Sequence, residues 1–269
     1  MLGEIVALNR RVRPLVHCIS NYVTANDCAN ILLACGGSAI MADDPDEVKE
    51  VTAMCGGLVL NMGTPNPRRL EAMLRAGEEA NRLSHPVILD PVGVGSSALR
   101  REAGRRILER VRFAAIRANA TEIATLVCGS DAHRGVDADT GETAMDEAEV
   151  NAKKLSQKTG AVVVVTGDTD IVTDGKRLCR IYNGHPMMRT VTGTGCQLSA
   201  LLGACVTANP DRPLQAALAA VCAMGLCGEI AHDRLGPSDG NASYRNYIID
   251  AIYNLTPEEL EKGAKYETD

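Results

Sequence analysis

Tryptophan is absent from this chain, and phenylalanine occurs once, as Phe113. Aromatic residues make up 3% of 269 positions, against 45% for hydrophobic residues as a whole. The core must therefore be built from aliphatic side chains. So few rings also exclude the stacking platforms that hold single-stranded nucleic acid. Excess positive charge is missing too. The formal net charge is −6, so neither nucleic acid nor an anionic membrane is expected as a partner. A phosphate ligand stays open, because a few backbone N–H groups and one arginine make a local anion site. No Cys-x-x-Cys pair occurs among the ten cysteines, and without paired Cys/His spacing no zinc site is expected. Cys28, Cys35, Cys205, Cys222 and Cys227 lie among Ala and Leu at helix-like positions. They read as small buried side chains in a reducing compartment. The opening MLGEIVALNRRVRP lacks a signal-peptide apolar core, and no apolar run reaches the roughly 18 residues of a membrane span. The expectation is a soluble, cytoplasmic protein.

What is present is alternation. Apolar runs such as LVHCI (15–19), SAIM (38–41), LVLNMG (58–63), PVILDPV (86–92), FAAIRAN (113–119) and AVVVVTG (161–167) read as strands. Helical patterns lie between the first five, over 24–37, 44–57, 66–83 and 96–111; in the last, Leu99, Ala103, Ile107 and Val111 step by four. Near-continuous apolar strands suit a parallel sheet buried on both faces. Repeated strand–helix units predict an α/β three-layer sandwich with a largely parallel central sheet. The last third adds a β-hairpin through Asp174-Gly175 within 170–186, a helix from Gly195, and an Ala-rich helix from Leu214 to His232. Thr256-Pro257-Glu258-Glu259 forms a capping box opening a final helix. The polar stretch 129–144 reads as a surface loop. No linker or repeat stands out, so residues 1–269 are expected to form one domain.

Five places carry candidate chemistry. A strand-like run ends in Gly193-Thr194-Gly195-Cys196, where a helix is expected to begin. With Gln197 to Ala208 helical, the N–H groups of residues 194–197 would point out of its N-terminus and form an anion hole. A plain glycine turn with a buried cysteine fits the same four residues. Asp90 in VILDPV and Glu122 in NATE follow strands, on the side where open α/β sheets bind ligands. Both carboxylates suit a hydrated Mg²⁺, and Asp90 also suits a turn and Glu122 a helix cap. Gly93-Val94-Gly95-Ser96-Ser97-Ala98 mimics a dinucleotide fingerprint. It lacks an acidic residue at the right distance and follows Asp-Pro instead of a strand directly. Thr166-Gly167-Asp168 offers backbone to a nucleotide, or simply turns into the hairpin. Arg117 sits near the end of a buried strand and needs a partner there: Glu122 or a phosphate. His17 and Cys18 are adjacent on a strand, point to opposite faces, and cannot form a thiol–imidazole dyad. Asn21, Asn26, Asn30 and Met41, near the first strand ends, suit a small mixed pocket or local turns.

Taken in order, PLVHCISNYVTANDCAN, GGSAIMADDPDEV, LNMGTPNP, PVILDPVGVGSSALR, IRANATEI, VVVVTGDTDIVTDG and VTGTGCQLSA closely resemble the hydroxyethylthiazole kinase family of thiamin salvage. The resemblance covers nearly the whole chain. It implies a ribokinase-like fold without a separate lid domain. It also implies Mg²⁺-dependent transfer of phosphate from ATP to 4-methyl-5-(2-hydroxyethyl)thiazole. Carried over by position, Arg117 and Thr166 contact ATP. Met41 and Gly193 contact the thiazole, with Asn21 beside them. Asp90 and Glu122 organise Mg²⁺ through water. The family further implies a homotrimer with active sites at subunit interfaces. Cys196 stands where related sugar kinases carry an aspartate base. It is expected to position or deprotonate the substrate hydroxyl without becoming covalently modified. The rival readings are a kinase for hydroxymethylpyrimidine or pyridoxal, a nucleotide-repair dehydratase of the same fold, and a non-catalytic ligand sensor.

Overall fold

The computed structural model describes residues 1–129 and 142–269. The polar stretch 129–144 therefore falls largely outside the described residues. The chain runs α1 (Leu2–Val12), β1 (Leu15–Ile19), α2 (Ala25–Ala34), β2 (Ser38–Ile40), α3 (Val48–Met54), β3 (Gly57–Asn61) and α4 (Pro67–Arg82). It continues through β4 (Val87–Asp90), α5 (Ala98–Arg110), β5 (Ala115–Asn119), α6 (Ala120–Cys128), α7 (Glu142–Thr159) and β6 (Val162–Thr166). The hairpin β7 (Asp170–Thr173) and β8 (Leu178–Ile181) follows. Last come α8 (Thr194–Ala208), α9 (Pro213–Asp233), α10 (Asn241–Asn254), α11 (Pro257–Gly263) and β9 (Tyr266–Thr268).

The strands form one sheet in the order β2-β1-β3-β4-β5-β6-β7-β8-β9. β1 to β6 pair in parallel. From β6 onward the pairing is antiparallel. Successive strand residues alternate between two cores, as the period-2 geometry of a strand requires. Val59, Ile88, Val162 and Val164 join the core under α1, α2, α8, α9 and α10. Leu60, Leu89, Val163 and Val165 join the core under α4 to α7. This is the three-layer α/β sandwich that the alternation predicts, and among the described residues no separate lid covers it.

Several expectations need correction. Leu99 is 55% exposed, so the buried stripe of α5 is Ala103 and Ile107, continued by Val111 beyond its end. The segment before Gly193 is not a strand but a 3₁₀ turn, Pro186–Thr190. Pro186 has no N–H to give a sheet, and His185 Nδ1 accepts the Met187 N–H at 3.2 Å. Helices α1, α7 and α10 and strand β9 have no counterpart in the sequence reading. Helix α9 is long and apolar enough to cross a membrane, yet 78% of its most apolar window is buried within the protein. It is a core helix whose apolar face runs all round because the fold surrounds it.

The fold's consequence for function lies at one edge. In a parallel sheet all carboxyl ends point the same way. Asn61, Asp90, Asn119 and Thr166 are the last residues of β3, β4, β5 and β6. Asn61 stands opposite Asp90 and Asn119 opposite Thr166 in the strand register. Asn21 lies just past the end of β1. Polar side chains distant in sequence thus line up along the edge where the backbone turns away and leaves a crevice.

Candidate active site

Helix α8 enters this crevice. Its N-cap, Gly193, has φ +90°, a left-handed conformation that glycine adopts without a Cβ penalty. Any Cβ there would also overlap the Thr24 side chain. The helix starts at Thr194, one residue earlier than the sequence suggests. The Gln197 N–H is spent on Gly193 O at 2.8 Å. Thr194, Gly195 and Cys196 are therefore the residues whose N–H groups have no protein acceptor among the described residues. They point out of the helix at the positive end of its dipole.

Opposite them stands Arg117 on β5. Its Nη2 donates to Thr166 Oγ1 at 2.7 Å, and Nη1 lies 3.4 Å from Asp90 Oδ1. The ion pair forms with Asp90, not with Glu122 as one expectation held. Asp90 is wholly buried and Arg117 12% exposed. Arg117 Nε is buried without a partner among the described residues. A buried donor left unmatched is costly, and a phosphate oxygen would satisfy it. Arg117, Thr166, Thr194 and Gly195 line a cavity of about 310 Å³ with Gly167, Asp170, Met188, Leu198 and Met224. Burial pushes the Asp170 carboxyl up to about 6, against the pull of the Gly167 N–H and the Arg117 charge.

Asp90 is the junction of the site. Its Oδ2 accepts from Asn61 Nδ2 at 2.8 Å and from Ser199 Oγ at 2.8 Å. Burial raises its pKa, with Arg117, Ser199 and Asn61 working the other way. Cys196 is half-buried, and its sulfur receives Asn61 Nδ2 at 3.2 Å and Asn21 Nδ2 at 3.4 Å. A helix N-terminus favours thiolate, but here burial dominates. It raises the thiol's pKa, Asp90 adds to the rise, and Thr24, Asn61 and Arg117 oppose it.

Glu122 serves as the cap that one reading foresaw. Its Oε2 accepts the Asn119 N–H at 2.9 Å, and Asn119 Oδ1 accepts the Glu122 N–H at 2.8 Å. Its Oε1 accepts the Gly93 N–H at 2.7 Å. Among the described residues each oxygen takes a single donor, which leaves it a lone pair. His17 and Cys18 point apart as expected: His17 bonds Thr52 Oγ1 and Ala42 O, both at 2.9 Å, while Cys18 lies in the core of the opposite face.

Known proteins similar to this chain show its family. The model of the hydroxyethylthiazole kinase family matches residues 6–258. The chain belongs to this family. A hydroxyethylthiazole kinase of Clostridium acetobutylicum is 52% identical over the full length of both chains. One from Desulfovibrio desulfuricans is 47% identical, covering 94% of this chain and 93% of its own. The solved hydroxyethylthiazole kinase of Pyrococcus horikoshii OT3 superposes with a TM-score of 0.89 at 32% identity, over 100% of this chain and 98% of that one. A pyridoxal kinase from Staphylococcus aureus, solved with AMP-PCP and pyridoxal, shares the fold with a TM-score of 0.62 at 14% identity, covering 95% of this chain and 98% of that one.

In this kinase the structure gathers Asn21, Asp90, Arg117, Thr166 and Cys196 around the glycine turn. Met41 lies just beyond β2 and is 39% exposed. Two members were missed by sequence reasoning, Asn61 and Ser199. Asn61 carries a signal that is legible in sequence: like Asp90, it is a polar residue closing an apolar parallel strand. Ser199 carries none, since a serine one turn into a helix is ordinary.

Proposed function

We propose that residues 1–269 form a single kinase domain that transfers the γ-phosphoryl group of ATP to the hydroxyl of 4-methyl-5-(2-hydroxyethyl)thiazole. The observation that carries this reading is the convergence of Arg117, the free N–H groups of α8 and Cys196 on one crevice of a family member. Arg117, Thr166 and the N–H groups of Thr194, Gly195 and Cys196 receive the phosphates. Gly193 and Met41 border the thiazole. The substrate hydroxyl oxygen bonds to the γ-phosphorus as the bond to the β-phosphate oxygen breaks. The fraction of Cys196 present as thiolate takes the hydroxyl proton and becomes a thiol, so no covalent phosphoenzyme forms. Phosphoryl transfer demands positioning and charge stabilisation more than covalent help, so a weak base suffices.

Asp90 and Glu122 fit Mg²⁺. Among the described residues no group of three or more His, Cys, Asp or Glu could hold a metal. Two carboxylates are the sparse set that a hydrated Mg²⁺ accepts, with phosphates completing its shell. When bound, the ion would neutralise charge on the transferring phosphoryl group.

We further place the protein in the cytoplasm, where its ten free cysteines stay reduced. The assembly inferred is a homotrimer with sites at its interfaces. Tyr22 and Val23, next to Asn21, are 72% and 65% exposed, and another subunit would cover them. Light scattering should give three times the chain mass; a monomer at working concentration would contradict this.

The direct test is ADP release from Mg-ATP with the thiazole alcohol, beside hydroxymethylpyrimidine and pyridoxal. Thiazole-dependent ADP, with the thiazole phosphate confirmed by mass, is the expected result. Turnover with another alcohol and none with thiazole would overturn the substrate.

A further inference from the structure

Two buried asparagines at the crevice have every hydrogen-bonding position filled. Asn21 Oδ1 accepts the N–H groups of Val23 at 2.9 Å and Thr24 at 3.0 Å. Its Nδ2 donates to Asn61 Oδ1 at 2.9 Å and to Cys196 Sγ at 3.4 Å. Asn61 Oδ1 also accepts the Gly63 N–H at 2.9 Å. Asn61 Nδ2 donates to Asp90 Oδ2 at 2.8 Å and to Cys196 Sγ at 3.2 Å. An amide offers two acceptor positions and two donors, and here all eight are used.

This saturation fixes which way each amide faces. Turning Asn21 over would set its NH₂ group against two backbone N–H donors. Turning Asn61 over would set its NH₂ against Gly63 N–H and its oxygen against the Asp90 carboxylate. Three backbone donors and one carboxylate therefore dictate that an N–H from each amide reaches the sulfur. A side chain receiving two such donors is held as an acceptor.

We propose that Asn21 and Asn61 are positioning residues that keep the side chain at 196 oriented as a proton acceptor for the substrate hydroxyl. The proposal rests on Cys196 being the group that handles that proton. The same pair of donors would suit a carboxylate at 196, so the slot is built for an acceptor and not for sulfur as such. Asn61 also ties the acceptor to Asp90, so the two halves of the site share one set of hydrogen bonds. Asn21 touches the sulfur and not Asp90, which makes it the cleaner probe.

The test is a double-mutant cycle on kcat between Asn21 and Cys196. Asn21→Ser retains an oxygen for the Val23 and Thr24 N–H groups but cannot reach the sulfur. Asn21→Thr, which keeps the same oxygen and likewise cannot reach the sulfur, serves if the serine variant melts early. Alone, either should lower kcat about tenfold with the KM for ATP changed less than about twofold. In a Cys196→Ala background the same change should alter kcat less than about twofold. A tenfold loss persisting in both backgrounds would make Asn21 a structural residue and overturn the proposal. A raised KM with kcat intact would overturn it too. If Cys196→Ala by itself left kcat unchanged, the proton-acceptor reading of Cys196 would fall, and the proposal with it.

Discussion

Asp90→Asn is expected to lower turnover by about a thousandfold while the chain still folds. The carboxylate meets Arg117 with one oxygen and Asn61 and Ser199 with the other. An asparagine keeps one acceptor. Its NH₂ group must then face either a guanidinium or two donors, so one contact turns repulsive. The anionic partner of Arg117 is lost, and so is one of the two carboxylates available to Mg²⁺. Single electrostatic contributors at transition states are worth about a hundred- to a thousandfold, and this substitution removes two. Stability should change little, because two effects oppose each other. Burying an ionised carboxylate is costly, which is why the pKa of Asp90 is raised. Removing it, however, leaves Arg117 without a counter-charge. The check is kcat by ADP release beside a thermal melt. Turnover within tenfold of the parent protein would assign Asp90 a structural role alone.

Gly195→Ala separates nucleotide binding from folding in a different way. A Cβ at this position would overlap both terminal nitrogens of Arg117 and come within 2.6 Å of its central carbon. The obstacle is the end of a flexible side chain, so the helix stays and the arginine moves. Alanine favours helix over glycine by about 1 kcal/mol, so α8 should be no less stable. The displaced guanidinium loses Thr166, and the methyl group occupies space beside the free N–H groups. The affinity for ATP should fall about a hundredfold, with kcat/KM falling alongside. Calorimetric titration with ATP and circular dichroism give the two readings. Unchanged affinity in a folded variant would remove Arg117 and the glycine turn from the phosphate site.

Much of this site is legible from local patterns. Asp90, Asn119 and Thr166 each close an apolar run, and a parallel sheet places such residues at one edge. Asn61 obeys the same rule, so its place at that edge is legible too. The stripe of α10 was equally readable, since Tyr244, Ile248 and Ile252 recur every four residues and are buried. Strand β9 was not. Three residues carry no usable periodicity, and Tyr266 to Thr268 become a strand because β8 offers an edge to pair with.

By itself the sequence determined the alternation of strand and helix, the aliphatic two-sided core, the turn at Gly193 and the family resemblance. These follow from residue spacing and backbone preference, which act over a few positions. Tertiary structure alone decided who meets whom. Asn21, Asn61 and Cys196 are separated by 40 and 135 residues along the chain. They converge because the strand order puts β1 beside β3 and β3 beside β4, with α8 packed across them. Which strands become neighbours depends on the burial of whole faces at once, a sum over the entire chain that no local window contains. The same long-range packing set the protonation balance at Cys196. Its helix N-terminus favours thiolate, and the burial imposed by the surrounding fold outweighs that preference.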